Sequence, residues 1–237
     1  KNKKMGDIIF ARSSYIHDCK DISFDKNNGY LSWRGKERLK KNGNDYPTHS
    51  IGPIDKILSK YFNDKLKYIS TFCSKEAAMT KKYFSIFNNK KYKFNRPDIS
   101  FSLIETEKKT LIELICDTTS NRPSSMHDMY IQFLDGAFIS GRSDKEQSII
   151  SNQKYFNNKK FKKINFKKYL NKKDQMIIKK VNYQFSFYKT LKNFETSVIK
   201  KINPYIDYRY AFLWSSLIEL SKKSLNQKSR KIKINYL

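Results

Sequence analysis

With 237 residues the chain is long enough to bury a sizeable core, as one large domain or two small ones. Its 49 Lys and Arg outweigh 22 Asp and Glu by +27, and no apolar run is long enough to span a membrane. Three scattered cysteines without a C-x-x-C, and three histidines without ligand spacing, argue against a disulfide scaffold and a structural metal site.

The positive charge is overwhelmingly Lys, spread along the chain among abundant Asn, Ile, Phe and Tyr. AT-rich codons produce that mixture, whereas phosphate-reading surfaces favour the planar fork of Arg. Nucleic acid is therefore expected to bind only non-specifically, at low salt. The basic start lacks the apolar stretch of a signal peptide. Cys19, Cys73 and Cys116 read as small buried hydrophobes in a reducing compartment, which implies a cytoplasmic protein. The chain opens on Lys1 rather than Met, so sequence upstream of it is expected.

In chain order, residues 8–16 (IIFARSSYI) read as a strand that delivers Tyr15 and His17 to its C-terminal end. A helix is expected after His49, with Ser50 as N-cap and Pro53 in its first turn. Ile54, Ile57, Leu58 and Tyr61 give that helix one buried face. Residues 65–74 read as a second strand, and 97–106 with 110–117 as a hairpin. Residues 129–134 and 137–140 form another, with Asp135-Gly136 as a type I′ turn signal. The Lys- and Asn-rich stretch 145–180 reads as a solvated, partly helical excursion. Helices follow at 190–201 and 208–224, the latter turning Phe212, Leu213, Leu217 and Leu220 inward, and 231–237 alternates like an edge strand. Several hairpins beside helices predict an α+β domain with an antiparallel-rich open sheet. No repeat or Pro/Gly-rich linker divides the chain, so residues 1–237 are read as one domain.

Chemistry concentrates in Tyr46-Pro47-Thr48-His49, a phenol and an imidazole just ahead of the expected helix. A helix N-terminus is partially positive, which favours a neutral imidazole, and a neutral imidazole beside a phenol is equipped to move protons. From the residue types alone, a half-buried polar turn is an equal alternative.

The surrounding residues resemble the glycosyl hydrolase family 109 branch (α-N-acetylgalactosaminidase-like) of the Gfo/Idh/MocA oxidoreductases. Trp33-Arg34, a basic run, Gly43-Asn44-Asp45-Tyr46-Pro47-Thr48-His49 and Gly52-Pro53 follow that branch's pattern in order. Tyr15-Ile16-His17-Asp18, Asp117-Thr118-Thr119-Ser120-Asn121-Arg122-Pro123 and, more weakly, Trp214-Ser215 resemble it too. Two places differ: the family's Tyr after Arg-Pro is Ser124 here, and its His-Gly-Gly region has no counterpart in residues 181–188. The segment between Asp18 and Trp33 is also shorter than usual.

The resemblance implies an open, mostly antiparallel sheet packed by helices on one face, following a Rossmann domain that this chain lacks. No G-x-G-x-x-G occurs anywhere in it. It also implies NAD as cofactor and an α-linked N-acetylgalactosamine or similar sugar as substrate. The chemistry would be oxidation at C3, elimination, hydration and reduction, without the usual glycosidase carboxylate pair. Tyr15, His17, Tyr46 and His49 would be catalytic; Arg34, Tyr46, Pro47, Thr48 and His49 would bind the sugar. Self-association through the sheet face is a further expectation. The alternatives are another sugar oxidoreductase of the superfamily, an inactive remnant of one, or a basic nucleic-acid-binding protein.

Overall fold

The computed structural model describes residues 5–40, 42–89, 91–141, 146–152, 160–165, 169–181 and 184–236. Part of the 145–180 excursion, and residues 182–183 of the stretch compared with the His-Gly-Gly region, lie outside the described residues.

Among the described residues nine strands form one open sheet in the order β8-β7-β6-β5-β1-β4-β3-β2-β9. They are β1 (Ile8–Ile16), β2 (Leu66–Cys73), β3 (Ile99–Thr106), β4 (Leu111–Asp117), β5 (Ser125–Phe133), β6 (Gly136–Ile139), β7 (Ile149–Asn152), β8 (Lys162–Lys163) and β9 (Ile232–Lys233). Each described neighbour pair is antiparallel except β1 and β4, which run parallel, with Tyr15 opposite Cys116 and Ile16 opposite Asp117. Both strands therefore end at the same edge of the sheet, and the loops leaving them meet there.

Period-two alternation decides which side chains face the core. Ala11, Ile69, Ile104, Ile112, Leu114 and Ile131 all point to one face and are at most 3% exposed. Two helices cover that face, α2 (Pro47–Ile57) and α6 (Tyr208–Asn226), through Ile51, Ile54, Leu213, Trp214 and Leu217. Burying each such side chain contributes about 1.5–3 kcal/mol. The opposite face carries the Arg12–Glu113 ion pair at 3.0 Å and, on other strands, Phe72 and Phe101, whose rings are 6.4 Å apart. The expected fold class, an α+β domain with a mostly antiparallel open sheet packed by helices on one face, is the one observed.

The remaining helices are α1 (Trp33–Lys40), α3 (Ala78–Phe87), α4 (Lys172–Val181) and α5 (Phe185–Lys200). A second apolar cluster of Phe24, Leu31, Met79, Tyr83 and Phe94 joins α3 to the loop that leads into α1. The Tyr83 hydroxyl donates to the Gly29 carbonyl at 2.9 Å and pins that loop.

Several boundaries differ from the sequence reading. Helix α2 begins at Pro47, not after Ser50: Pro47 takes the first helical position, where its fixed φ and missing N–H suit the first turn. Ser50 is consequently a buried interior residue, and Pro53 falls inside the helix. Beyond Ile57, α2 runs into a π-helical turn (Leu58–Phe62) that stops at Asn63 with φ 48°. The second hairpin turns at Leu134 and Asp135, since Phe133 pairs with Gly136, and neither Asp135 nor Gly136 has the positive φ of a type I′ turn. The excursion contributes β7 and β8 to the sheet besides α4. Helix α5 starts at Phe185, one turn earlier than its pattern indicates. On α6, Phe212 is 48% exposed while Leu213 and Leu217 are buried. Cys73 is exposed, unlike Cys19 and Cys116.

Gly43 has φ +89°, and a Cβ there would lie 2.6 Å from the Ser221 Oγ that accepts from the Asn44 N–H. Gly43→Ala is expected to cost about 1–3 kcal/mol, visible as a Tm several degrees lower. An unchanged Tm would show that the loop relaxes freely.

Candidate functional site

The site is assembled where β1 ends and α2 begins. Alternation along β1 turns Ala11, Ser13 and Tyr15 towards the helix-covered face, and all three are buried. The start of α2 lies over Tyr15. The Tyr15 and Tyr46 ring centroids are 4.7 Å apart, Tyr46 and His49 are 4.7 Å apart, and His49 meets Tyr15 edge-on at 5.2 Å. Such ring pairs contribute about 0.5–1.5 kcal/mol beyond area burial. The cluster thus holds one buried phenol beneath a phenol and an imidazole that both reach solvent; Tyr46 is 43% exposed.

His17 completes the group from the strand side. Its Nδ1 and the Tyr15 hydroxyl are hydrogen-bonded at 3.3 Å, and the rings are edge-on at 6.1 Å. Burial pushes the Tyr15 phenol up to about 12; Cys19, Tyr46 and Cys116 add to the rise, and Arg34 opposes it. Tyr15 therefore stays protonated across the ordinary pH range and can donate a hydrogen bond there. Arg34 is exposed, with its guanidinium 4.2 Å from the centre of the Trp33 ring. It acts on Tyr15 and Cys19 through its field, while its guanidinium stacks on Trp33. Pro47 is buried and shapes the first turn of α2; Thr48 beside it is half-buried. The structure thus brings Tyr15, His17, Tyr46 and His49 together, sets Arg34 at their margin, and leaves Pro47 and Thr48 as the backbone that carries two of them.

Residues that the sequence reading did not single out tie these pieces together. Lys20 is 6% exposed, and its Nζ donates to Asp18 Oδ2 at 2.8 Å, to Asn121 Oδ1 at 2.9 Å and to the Thr119 carbonyl. One buried ammonium therefore joins the Tyr15–Asp18 strand end to the loop after β4. Arg38, 2% exposed, donates from Nε to Ser23 Oγ and from Nη2 to the carbonyl and hydroxyl of Thr118, each at 3.1 Å. Burial, and then the charge of Arg96, bring the Arg38 guanidinium down to about 10, so it is still a cation at neutral pH. Asp18-x-Lys20 was the one local pattern that could have pointed to the first of these links. Asp117 Oδ1 accepts from the amides of Thr119 and Ser120 and closes the turn after β4. Among the described residues, no group of three His, Cys, Asp or Glu side chains could hold a metal ion.

The model of the glycosyl hydrolase 109 C-terminal domain matches residues 1–236. The chain belongs to that family. Over 137 residues it is 32% identical to an alpha-N-acetylgalactosaminidase of Shewanella oneidensis, covering 56% of this chain and 30% of that protein. A glycosyl hydrolase family 109 protein of Shewanella sp. strain MR-4 is 31% identical over the same length and coverage. Levoglucosan dehydrogenase, solved with NADH and L-sorbose, superposes with a TM-score of 0.67 at 12% identity, over 99% of this chain and 60% of its own. Myo-inositol dehydrogenase of Lactobacillus casei superposes at 0.54 and 11% identity, over 98% and 56%. These two likenesses show the fold. The matched stretch spans less than a third of the curated relatives, and the chain about three-fifths of the dehydrogenases. No described helix is long and apolar enough to cross a membrane.

Proposed function

We propose that this chain is the sugar-binding part of an NAD-dependent glycosidase acting on α-linked N-acetylgalactosamine or a close relative. The observation that carries this reading is the cluster of Tyr15, Tyr46 and His49, joined from two distant segments in a glycosyl hydrolase 109 domain. In that cluster the exposed phenol of Tyr46 and imidazole of His49 face the sugar and exchange protons with it, one removing and the other returning a proton. Tyr15, kept protonated by burial, donates to a sugar oxygen and, with His17, orients the pair. Arg34 holds sugar hydroxyls from the rim. Pro47 and Thr48 fix the turn that presents Tyr46 and His49.

The residues in hand do not fit as a nucleotide site. The sequence has no glycine-rich phosphate-binding turn, and no G-x-G-x-x-G stands between a strand and a helix to bring backbone amides onto a pyrophosphate. Calorimetric titration of this chain alone with NAD⁺ is expected to give no saturable heat in the micromolar range. Saturable micromolar binding would refute that separation of roles.

Ser124, exposed where the family has a Tyr, favours one second reading: a sugar oxidoreductase that oxidises its substrate without cleaving it. Assaying the whole protein with NAD⁺ separates the two. Release of the aglycone from an α-N-acetylgalactosaminide supports the glycosidase, while net NADH formation without release supports the oxidoreductase.

A further inference from the structure

Beside the ring cluster sits a buried ion pair that the sequence pattern does not announce. Arg96 lies in the loop between α3 and β3, and its Nη1 is 3.1 Å from Asp45 Oδ2, the two side chains being 14% and 7% exposed. Its Nη2 donates to Cys116 Sγ at 3.7 Å. The backbone amides of Asn95 and Arg96 both donate to the Arg38 carbonyl, at 2.9 and 3.0 Å. Arg96 is thus anchored by its backbone to α1, the helix that carries Arg34. Its guanidinium reaches the residue before Tyr46 and the residue opposite Tyr15 in β4. The Tyr46 amide in turn donates to Asn44 Oδ1 at 3.3 Å.

Two observations make this a device for geometry more than for stability. First, α2 has no side-chain cap at its N-terminus: Tyr46 is the N-cap residue, and its side chain accepts nothing from the first turn. The usual means of fixing a helix start is therefore absent where the ring cluster needs a fixed start. Secondly, a buried ion pair is a poor way to hold a fold, since its desolvation cost rivals its attraction and apolar residues of equal volume serve as well. What Arg adds is a rigid planar fork that contacts two groups at set angles.

We propose that Arg96 is the positioning residue of the ring cluster, holding Tyr46, and through the first turn of α2 His49, against Tyr15 by way of Asp45 and Cys116. This rests on the reading of Tyr46 and His49 as the groups that act on the sugar. The proposal belongs to this chain's own sequence, because Asp45 occupies the open position of the Gly-Asn-x-Tyr pattern.

The test uses the whole protein with Arg96→Met, Arg96→Lys, Asp45→Asn and the double variant Arg96→Met/Asp45→Asn. Steady-state hydrolysis of an α-N-acetylgalactosaminide and the His49 ring resonance by NMR are followed well below each variant's Tm. Arg96→Met and Asp45→Asn are each expected to lower kcat by about 10–100-fold, the scale of a misplacement near 1 Å, with KM within about threefold. The double variant should be no slower than the slower single one, because both act through one contact. Arg96→Lys, which keeps the charge without the fork, should recover part of the loss. The His49 resonance should move in every variant that slows. Unchanged kcat, losses that multiply in the double variant, or an unmoved His49 resonance would each overturn the proposal. If Arg96→Met does not fold, Asp45→Asn, equal in shape, decides alone. If the unaltered protein hydrolyses nothing, the functional reading fails by itself. The resonance then still decides the positioning role, supported if it moves in Arg96→Met and Asp45→Asn and refuted if it does not.

Discussion

His49→Ala is expected to lower hydrolysis of an α-N-acetylgalactosaminide by the whole protein about 10²–10⁴-fold, and Tyr46→Phe by a similar factor. That is the usual cost of losing a positioned proton-transfer group. Tyr46→Phe is the cleaner of the two, because the phenyl ring keeps its 4.7 Å contacts with Tyr15 and His49 and only the hydroxyl is lost. Tyr46→Phe keeps both ring contacts at a solvent-exposed position, so folding should hardly notice it, whereas His49→Ala also gives up its ring contacts with Tyr15 and Tyr46 and should lose about 1–3 kcal/mol. Exposed substitutions usually stay within about 0.5 kcal/mol, or about 1–2 °C in Tm for a chain of this size. Activity lost at an unchanged Tm would place the effect in chemistry. Tyr15→Phe should behave differently: its phenol is buried, bonded to His17 at 3.3 Å and held at about 12. It cannot serve as a base near neutrality, so the pH profile should keep its shape while the rate falls. Full activity in His49→Ala would remove the ring cluster from the mechanism.

Much of this arrangement was legible in the sequence, for identifiable reasons. The β3–β4 hairpin alternates, and a period of two admits one register once a face is buried, while β1, with Ser13–Ile16 all buried, was legible from its composition and not from alternation. The short tail was readable too, because Ile232 alternates with charged neighbours, and β9 does pair with β2. What failed were places where two local rules compete. Ser50 is a good cap in isolation, but Pro47 is a better first helical residue, and the helix took the earlier start. The type I′ signal at Asp135-Gly136 lost to a register that closes one residue sooner. Strands β7 and β8 were hidden because Lys and Asn dominate their surroundings, so no alternation stands out. Within the site, the Tyr-Pro-Thr-His run could be read as chemistry because its members are neighbours in sequence. Beyond the local Asp18-x-Lys20 pattern, the links through Lys20, Arg38 and Arg96 could not, since each joins segments far apart in the chain and only the sheet brings them together.

Trp214 gives the largest expected effect on stability, because it meets two needs of the α2–α6 contact at once. Its ring fills the space left by Gly52, where a Cβ would stand 3.2 Å from the indole, and it lies 5.5 Å from Tyr210. Its Nε1 donates at 2.8 Å to Asp55 Oδ2, a carboxylate only 2% exposed. Trp214→Ala should therefore cost about 3–5 kcal/mol for the cavity and about 1–3 kcal/mol more for the carboxylate left without a donor. That sum is a large share of the roughly 5–15 kcal/mol that holds a typical domain together. Trp214→Phe isolates the second contribution, since most of the ring remains. Its pH dependence has a definite sign. Burial raises the Asp55 carboxyl above its ordinary value, and the Trp214 N–H restrains that rise. A raised folded-state value means that Asp55 favours the fold fully below its unfolded value and loses that contribution as pH climbs through the folded one. Without the indole N–H the folded value rises further, so Trp214→Phe should be penalised more at about pH 8 than at about pH 5. Adding Asp55→Asn removes the buried charge and should recover part of the loss at the higher pH. Denaturant unfolding of the single and double variants at both pH values measures all of this. An equal penalty at both, with no recovery from Asp55→Asn, would mean that packing alone explains Trp214 and that the buried carboxylate is indifferent to its donor.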